Sequence, residues 1–414
     1  MVLPSLASIL AAVVVALLSS ASLIVLRKRG VPLLSSRTRN DVLFSVTPVQ
    51  RDALLEGEFT EIFENVTKEI RATYDKEGYV IIRGLLDASM MDRLDAAANF
   101  FLKEAAQVST FSALKFGPIY LSPPTNKTKD DPKQLEAFRE VALMSAIPSF
   151  VARVLLDLPS DKTLRVLKDV FLAKGREENY CGWHVDDGFF WPTSAHATSE
   201  LPGVNAWIAM DDITAKVGGG LAVAPASHKA DWRHEAYETI GSTMTFPEGG
   251  YKTIADMMSS SKAIGGTCDL AKAAPDLDAC IDSTKHVFDF RKGDVLLHTR
   301  WLFHRSVPLT KAGAKHFEKL DPVIKRYSIR YEVGDARLLG GFTLEPSVVL
   351  KPENAMKTLD EVSANDTAWY PKCWPKVDAD ELAHLHEVVE EKLPAFEPLR
   401  QELYGQMRPY FEQK

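Results

Sequence analysis

Eight short extended segments between residues 163 and 333 constrain the fold of this chain more than any other feature of its sequence. They are four to eleven residues long, rich in β-branched and aromatic side chains, and separated by Gly, Pro and Asp. Many short strands at this spacing predict an antiparallel jelly roll or a related barrel. The predicted strands are Thr163–Ala173, Trp183–Asp186, Val204–Met210, Leu221–Ala224, Val287–Phe290, Val295–His298, Trp301–Val307 and Arg326–Val333.

Helical patterns flank the extended segments on both sides. A helix is predicted from about Thr60, Asp87 can cap a second one, and two more are expected around residues 133–146 and 149–158. Helical character returns after Pro346. We therefore expect a mainly β fold with flanking helices around a double-stranded β-helix core of the jelly-roll, cupin-like kind.

The N-terminal segment is predicted to be a transmembrane helix that anchors the chain. The first 26 residues contain no charged side chain, and Leu6–Leu26 is long enough, as a helix, to cross the hydrocarbon core of a bilayer. Arg27, Lys28 and Arg29 follow at once, whereas a cleavable signal peptide carries its positive charge before a short apolar stretch. The positive-inside rule places the rest of the chain in the cytosol. We expect a single-pass protein of the endoplasmic reticulum with its main domain facing the cytosol, and a cleaved presequence is the alternative.

The part of the chain after this segment is acidic. The whole chain has 49 Lys+Arg and 56 Asp+Glu, a net charge of −7, whereas residues 31–414 carry 46 basic residues against 56 acidic ones, a net charge of −10. This is the wrong sign for a general nucleic-acid binder. We expect a small-molecule partner, no nucleic acid, and membrane contact through the N-terminal helix; the oligomeric state stays open.

The four cysteines show neither CxxC pairs nor zinc-ligand spacing, which argues against a structural zinc site and against a disulfide scaffold. Cys268 and Cys280 bracket a loop rich in Gly, Ala and Asp and could pair if the domain were lumenal.

These patterns divide the chain into four parts. Residues 1–30 are the anchor with its basic stop, 31–65 a linker, 66–345 the β-rich domain and 346–414 a C-terminal helical extension. Within the domain, residues 228–286 are too long for a plain hairpin loop. They are predicted to form a lid or insertion that selects the ligand.

Two histidines and one carboxylate are candidates for a metal site. His184 and Asp186 lie two residues apart on a predicted strand, so they project from the same face. An H-x-D triplet alone is weak evidence, because a His near a carboxylate is usually only a hydrogen-bonded pair. A third ligand is offered about 120 residues later, where His298 and His304 follow a Lys-Gly-Asp turn at Asp294. Two His and one carboxylate make the facial triad that holds Fe(II) with open positions.

A carboxylate-binding site is predicted on the last extended segment. Arg326 and Ser328 alternate along it and share a face. A planar guanidinium beside a hydroxyl is suited to binding a carboxylate through two hydrogen bonds. Arg330 lies on the same face and is the alternative.

The chain resembles the phytanoyl-CoA dioxygenase family of Fe(II)- and 2-oxoglutarate-dependent oxygenases over roughly residues 70–335. Four segments match pieces of the family pattern in the same order. Lys76–Leu86 is similar to its opening segment, Trp183–Asp186 to its H-x-D strand, Gly203–Asp212 to the following strand, and Gly218–Lys229 to its Gly-Gly-Leu turn and Pro-Gly-Ser-His ending, with Ala226 in place of that Gly.

The resemblance implies which residues ligate iron. They would be His184, Asp186 and His304, because His304 stands at the family distance from the turn at Asp294. His298 would then be a core residue or a residue beside the ligands.

The resemblance also implies the 2-oxoglutarate site. Arg326 would bind the distal carboxylate of the co-substrate, and Trp207 and Ser306 match family positions beside it. The segment before Arg326 is longer than is usual in the family, which keeps Arg330 as the alternative.

The implied activity is a dioxygenase reaction that uses Fe(2+), O2 and 2-oxoglutarate to hydroxylate a C–H bond of a small molecule, such as a lipid or acyl compound, with release of succinate and CO2. Ascorbate could keep the iron ferrous. Asp186 distinguishes a hydroxylase from a related halogenase, which has a small residue there. The competing hypotheses are a membrane-tethered, non-catalytic jelly roll that serves as a binding or scaffold protein, and a cupin-like metalloenzyme that does not use 2-oxoglutarate.

Overall fold

The computed structural model describes residues 41–57, 64–105, 131–174, 182–186, 191, 203–230, 270–311, 313, 324–338, 342–344, 348–350, 352–354, 356–363 and 370–387. The transmembrane helix predicted within residues 1–30 lies outside these ranges. No helix inside them is both long and apolar enough to cross a membrane.

Two sheets form the centre of the molecule. The strands of the described ranges are β1 (Leu43–Ser45), β2 (Tyr79–Arg83), β3 (Leu164–Lys174), β4 (Val204–Ala209), β5 (Leu221–Val223), β6 (His286–Val287), β7 (Val295–Thr299), β8 (His304–Ser306), β9 (Ile324–Val333), β10 (Phe342–Leu344), β11 (Val348–Leu350) and β12 (Lys372–Trp374). The larger sheet has the order β1-β2-β7-β4-β9-β3-β12 and the smaller one the order β6-β5-β8. Only the β1–β2 pair among these described pairs is parallel. A separate hairpin joins β10 to β11.

Helices precede, interrupt and follow the strands. They are α1 (Pro48–Glu56), α2 (Glu64–Glu77), α3 (Ala88–Ala105), α4 (Asp131–Met144), α5 (Ala146–Phe150, continued by a π-helical turn over Val151–Leu155), α6 (Leu270–Ala273), α7 (Pro275–Ser283), α8 (Leu359–Ser363) and α9 (Ala379–Glu387). Asp87 caps α3 as predicted, since its Oδ1 accepts a hydrogen bond from the amide of Met90 (2.7 Å). This architecture confirms the coarser part of the prediction, a sheet-rich fold with flanking helices.

The two faces of the larger sheet carry different side chains. On β9, Tyr327 and Tyr331 pack with residues of α4 in the main apolar core, and their hydroxyls donate to Asp169 (2.6 Å) and to the carbonyl of Ala142 (2.9 Å). Ser328 and Arg330, which alternate with these tyrosines along the strand, point to the other face. On that face Trp207 of β4 packs in one apolar cluster with residues of β5. The two sheets therefore face each other across this second cluster.

Part of the predicted linker, residues 31–65, belongs to the domain. β1 pairs with β2 at the edge of the larger sheet, and Val42 and Leu54 are buried. Thr47 caps α1 by accepting a hydrogen bond from the amide of Gln50 (3.3 Å). A three-residue edge strand is too short for an alternating pattern to reveal it in the sequence.

The C-terminal extension, residues 346–414, is not purely helical. β12 adds to the larger sheet by pairing with β3, and only then does α9 begin. Residues 388–414 lie outside the described part of the chain.

The predicted insertion, residues 228–286, carries helices of its own. α6 and α7 lie near its C-terminal end, whereas residues 231–269 are outside the described ranges. Cys280 on α7 and Cys373 on β12 have free thiols.

We predict that Tyr327→Phe destabilises the protein more than Tyr331→Phe. The first variant removes a hydrogen bond to the buried carboxylate of Asp169, which is worth about 1.5–3 kcal/mol, and the second removes one to a neutral carbonyl, worth about 0.5–1.5 kcal/mol. Urea unfolding of both variants measures the difference in free energy of unfolding. Equal losses, or a larger loss for Tyr331→Phe, would contradict this account of the layer between sheet and helices.

Candidate active site

The metal-ligating candidates lie on two chain segments that hydrogen-bond to each other. His184 and His304 form an antiparallel bridge, with the amide of each donating to the carbonyl of the other (3.0 and 2.9 Å). Thus residues 183–186, predicted as a strand, form a single bridge here. Because the bridge fixes both backbones, it also sets the position of Asp186, two residues further on.

His184, Asp186 and His304 come together as the sequence predicts. Each offers one ligand atom, and these atoms lie within 4.8 Å of one another. Asp186 Oδ1 is 3.8 Å from Nε2 of each histidine, and the two imidazole rings are 4.3 Å apart. His304 and Asp186 are buried, and His184 is half-buried.

Both histidines are oriented by hydrogen bonds to backbone carbonyls. Nδ1 of His184 donates to Gly182 (2.7 Å), and Nδ1 of His304 donates to Leu302 (3.0 Å). A carbonyl can only accept, so the Nδ1 atoms carry the protons and the Nε2 lone pairs face Asp186. Burial also lowers the pKa of His304 to about 4, which keeps its ring neutral near pH 7. Two imidazoles and one carboxylate are the donor set that suits Fe(II), so these residues fit the predicted metal.

The second oxygen of Asp186 is held by two residues that sequence analysis did not assign to it. Asn205 Nδ2 donates to Asp186 Oδ2 (2.7 Å), and Arg330 Nη2 donates to the same oxygen (2.5 Å). Burial opposes ionisation of Asp186, but the Arg330 guanidinium and, to a smaller extent, the neighbouring histidines together hold the pKa of the carboxyl well below its usual range. The other oxygen of the carboxylate, Oδ1, therefore lies towards Nε2 of His184 and of His304.

One polar residue from each of five neighbouring strands forms a row across the inner face of the larger sheet. The register aligns Tyr79 of β2 with His298 of β7, His298 with Asn205 of β4, Asn205 with Arg330 of β9, and Arg330 with Lys168 of β3. All five side chains are buried. We call them the polar row.

The next row along the same face is mostly apolar. Ile81, Leu296, Trp207, Ser328 and Val170 are aligned in the same way and are called the middle row. Trp207 stacks at a tilt on Phe290, with ring centroids 4.8 Å apart. The Ser328 hydroxyl donates to Asn205 Oδ1 (2.7 Å), which links the middle row to the support of Asp186.

Arg326 lies beyond the middle row, away from Asp186. It precedes Arg330 by four residues on one strand, so their Cα atoms are about 13 Å apart. The Arg326 side chain is buried, and its Nη1 donates to the carbonyl of Gly219 (2.8 Å). Gly219 has φ of +86°, and a Cβ there would lie 2.0 Å from Ile324, so only glycine suits this turn. Ser306, on β8 two residues after His304, is buried opposite Leu221.

His298 lies beside the triad but outside it. Its ring centroid is 4.8 Å from that of His304, and its Nδ1 donates to the carbonyl of Thr299 (2.9 Å). Burial lowers the pKa of His298 to about 4. Its Nε2 is buried and has no hydrogen-bond partner within the described part of the chain.

Lys168 is the other residue of this face that sequence analysis missed. It is fully buried opposite Arg330, and burial, followed by the Arg330 charge, lowers its pKa to about 7. The sequence shows a lysine inside an apolar, β-branched segment, but this pattern does not indicate which face of the strand is buried.

Comparisons with solved structures find similar chains, all at low sequence identity. The α-ketoglutarate-dependent carbocyclase SnoK of nogalamycin biosynthesis is 19% identical, with 67% of this chain and 88% of SnoK covered, at a TM-score of 0.42. The non-heme monooxygenase ThoJ, as its nickel complex, is 13% identical, with 78% and 96% covered, at 0.42. Iron-bound HygX from Streptomyces hygroscopicus is 16% identical, with 66% and 87% covered, at 0.34.

Comparison with curated proteins gives no match. The sequence profile of the phytanoyl-CoA dioxygenase family, by contrast, matches residues 74–316, which is more than half of the chain and includes all three triad residues. The chain belongs to the phytanoyl-CoA dioxygenase family and is a non-heme oxygenase that depends on iron and 2-oxoglutarate.

Proposed function

We propose that this protein is a dioxygenase that hydroxylates a C–H bond of a small molecule, a lipid or acyl compound among the candidates, and releases succinate and CO2. The observation that carries the proposal is the cluster of ligand atoms of His184, Asp186 and His304, with both Nε2 lone pairs turned towards Asp186. As part of the proposal, the two facing sheets form a double-stranded β-helix.

His184, Asp186 and His304 would hold the iron. The backbone bridge between the histidines fixes two ligands, and Asn205 with Arg330 fixes the third by binding Asp186 Oδ2. Outer hydrogen bonds of this kind orient metal ligands and tune their basicity.

Arg326 would bind the distal carboxylate of 2-oxoglutarate. It lies at the far side of the middle row from Asp186, and the middle row's Trp207 and Ser328 would then flank the carbon chain of the co-substrate, with Ser306 on the opposite sheet. Arg330 is the weaker candidate for this role because its guanidinium already binds Asp186.

Iron with 2-oxoglutarate and O2 supplies an oxidant strong enough to convert a C–H bond to an alcohol. The residues of this chain bind and orient the reactants. The buried side chains of the middle row exclude water from the inner face of the larger sheet between the triad and Arg326. The three triad residues are present and assembled, which argues against a non-catalytic scaffold.

We predict that the wild-type protein binds one Fe(II) anaerobically and develops a charge-transfer absorption band when 2-oxoglutarate is added. His304→Ala removes a ligand atom and should weaken iron binding about 100-fold or more, whereas His298→Ala should weaken it less than about tenfold. Succinate release on adding O2 completes the test. Absence of the band in the wild type, or equal effects of the two variants, would contradict the proposal.

A second prediction concerns Arg326. Arg326→Gln removes a charged, two-pronged carboxylate ligand worth about 2 kcal/mol, so the Kd for 2-oxoglutarate should rise about 30-fold. Anaerobic titration of the absorption band measures it. The matched control is Arg337→Gln, at an exposed arginine that binds the carbonyl of Met356. A Kd for Arg326→Gln within threefold of the wild type would exclude Arg326 from this role.

We also propose that residues 1–30 anchor the protein in the endoplasmic reticulum membrane with the catalytic domain in the cytosol, on the strength of the apolar segment and the basic residues after it. In sealed microsomes, added protease should then degrade the domain without detergent. Full protection of the domain until detergent is added would overturn the orientation.

A further inference from the structure

Two helices of the insertion, α6 and α7, cover the outer side of the segments that carry the ligand histidines. Neighbouring residues of an extended segment project to opposite faces, so the residues next to each ligand point away from the pocket. Trp183 and Phe303 do so, and they are buried in one apolar cluster with Leu270 of α6 and Ile281 of α7. The insertion therefore packs directly behind the backbone bridge of the metal site.

One carboxylate of α7 binds a residue beside each ligand histidine. Oδ1 of Asp282 accepts hydrogen bonds from Nε1 of Trp183 (3.3 Å) and from Nη1 of Arg305 (2.9 Å). Trp183 directly precedes His184, and Arg305 directly follows His304. The Arg305 guanidinium also lies over the Trp183 ring, 5.8 Å from its centroid. We call Asp282, Trp183 and Arg305 the outer clamp.

The neighbours of Asp282 favour its charged form. Lys285 donates to the second oxygen, Oδ2. Burial opposes ionisation, but the hydrogen bond and charge of Lys285, followed by the charge of Arg305, lower the pKa of the carboxyl below its usual value. The side chain of Asp282 is 31% exposed, and ion pairs at such positions contribute little to the free energy of unfolding. Removal of this carboxylate should therefore leave the protein folded.

We propose that Asp282 is a positioning residue of the iron site that acts through its two clamp partners on the ligand histidines. Because the outer side chain of each segment is held, the backbone resists rotation about its own axis, and the imidazole on the inner side keeps its direction. The Nδ1 hydrogen bonds orient each ring relative to its own segment, whereas the outer clamp holds the two segments relative to each other. The proposal rests on the assignment of His184 and His304 as iron ligands made above.

The test compares the full-length wild type with Asp282→Ala, which removes both hydrogen bonds of the outer clamp. The matched control is Asp276→Ala, because Asp276 is an exposed carboxylate on the first turn of the same helix. Fe(II) is titrated anaerobically to give its Kd, the charge-transfer band is recorded at saturating 2-oxoglutarate, and urea unfolding measures stability separately.

Arg305→Gln removes the stronger bond of the outer clamp from the other side. It is measured alone and combined with Asp282→Ala. If Asp282→Ala does not fold, Arg305→Gln takes its place, with the exposed Arg337→Gln as its control.

We expect Asp282→Ala to raise the Kd for Fe(II) about tenfold and to shift the charge-transfer band, because residues that support metal ligands affect affinity by about tenfold or more. Asp276→Ala should stay within about threefold of the wild type, with the band unchanged. Since Asp282→Ala and Arg305→Gln break the same contact, the double variant should bind iron within about threefold of the weaker single variant.

The proposal is overturned if Asp282→Ala keeps the Kd within about threefold of the wild type or leaves the band in place, or if Asp276→Ala has the same effect. Multiplication of the two single effects in the double variant would also overturn it, since the residues would then act independently. Failure of the proposed function has a different signature: the wild type itself gives no charge-transfer band, or His304→Ala leaves the band intact.

Discussion

The two-sided binding of Asp186 is the interaction on which the site depends. Asn205 and Arg330 bind one carboxylate oxygen, and the other faces the histidine Nε2 atoms. Burial opposes ionisation of this carboxyl, and the Arg330 charge, with the nearby histidines, lowers its pKa nonetheless. Because Asn205 and Arg330 are aligned on β4 and β9, the register of these central strands sets the geometry of the metal site. A shift of one residue would turn both side chains to the opposite face.

The same register organises the rest of the pocket. The polar row gathers the groups that bind or surround the metal ligands, the middle row provides a mostly apolar wall with Trp207, and Arg326 lies beyond it. Spacing of about 7 Å between successive rows follows from strand geometry alone. A small dicarboxylate could therefore reach from the triad to Arg326. The smaller sheet completes the site by supplying His304, which bridges to His184.

Much of the fold followed from sequence patterns, because long alternating segments such as β9 and the Gly-Asp turn before β7 have strong local signals. The parallel edge strand Leu43–Ser45 and β12 were missed because each has only three residues and is held by its neighbour in the sheet. The segment around His184 looked like a strand, but only one residue of it pairs.

The triad residues could be named from spacing and resemblance, whereas their supports could not. Asn205 and Lys168 reach the site only through cross-strand register, which links residues far apart in the chain. Arg330 was recognised as a carboxylate-binding alternative, yet no pattern indicated that its partner would be Asp186 itself. Such pairings depend on tertiary structure, and a single sequence does not encode them locally.

A crystal structure of the anaerobic complex with Fe(II) and 2-oxoglutarate tests the central claim most directly. The account predicts iron on His184, Asp186 Oδ1 and His304, with Asp186 Oδ2 still bound by Asn205 and Arg330 and the distal carboxylate on Arg326. Iron bound by His298 in place of His304, or a distal carboxylate on Arg330, would contradict it.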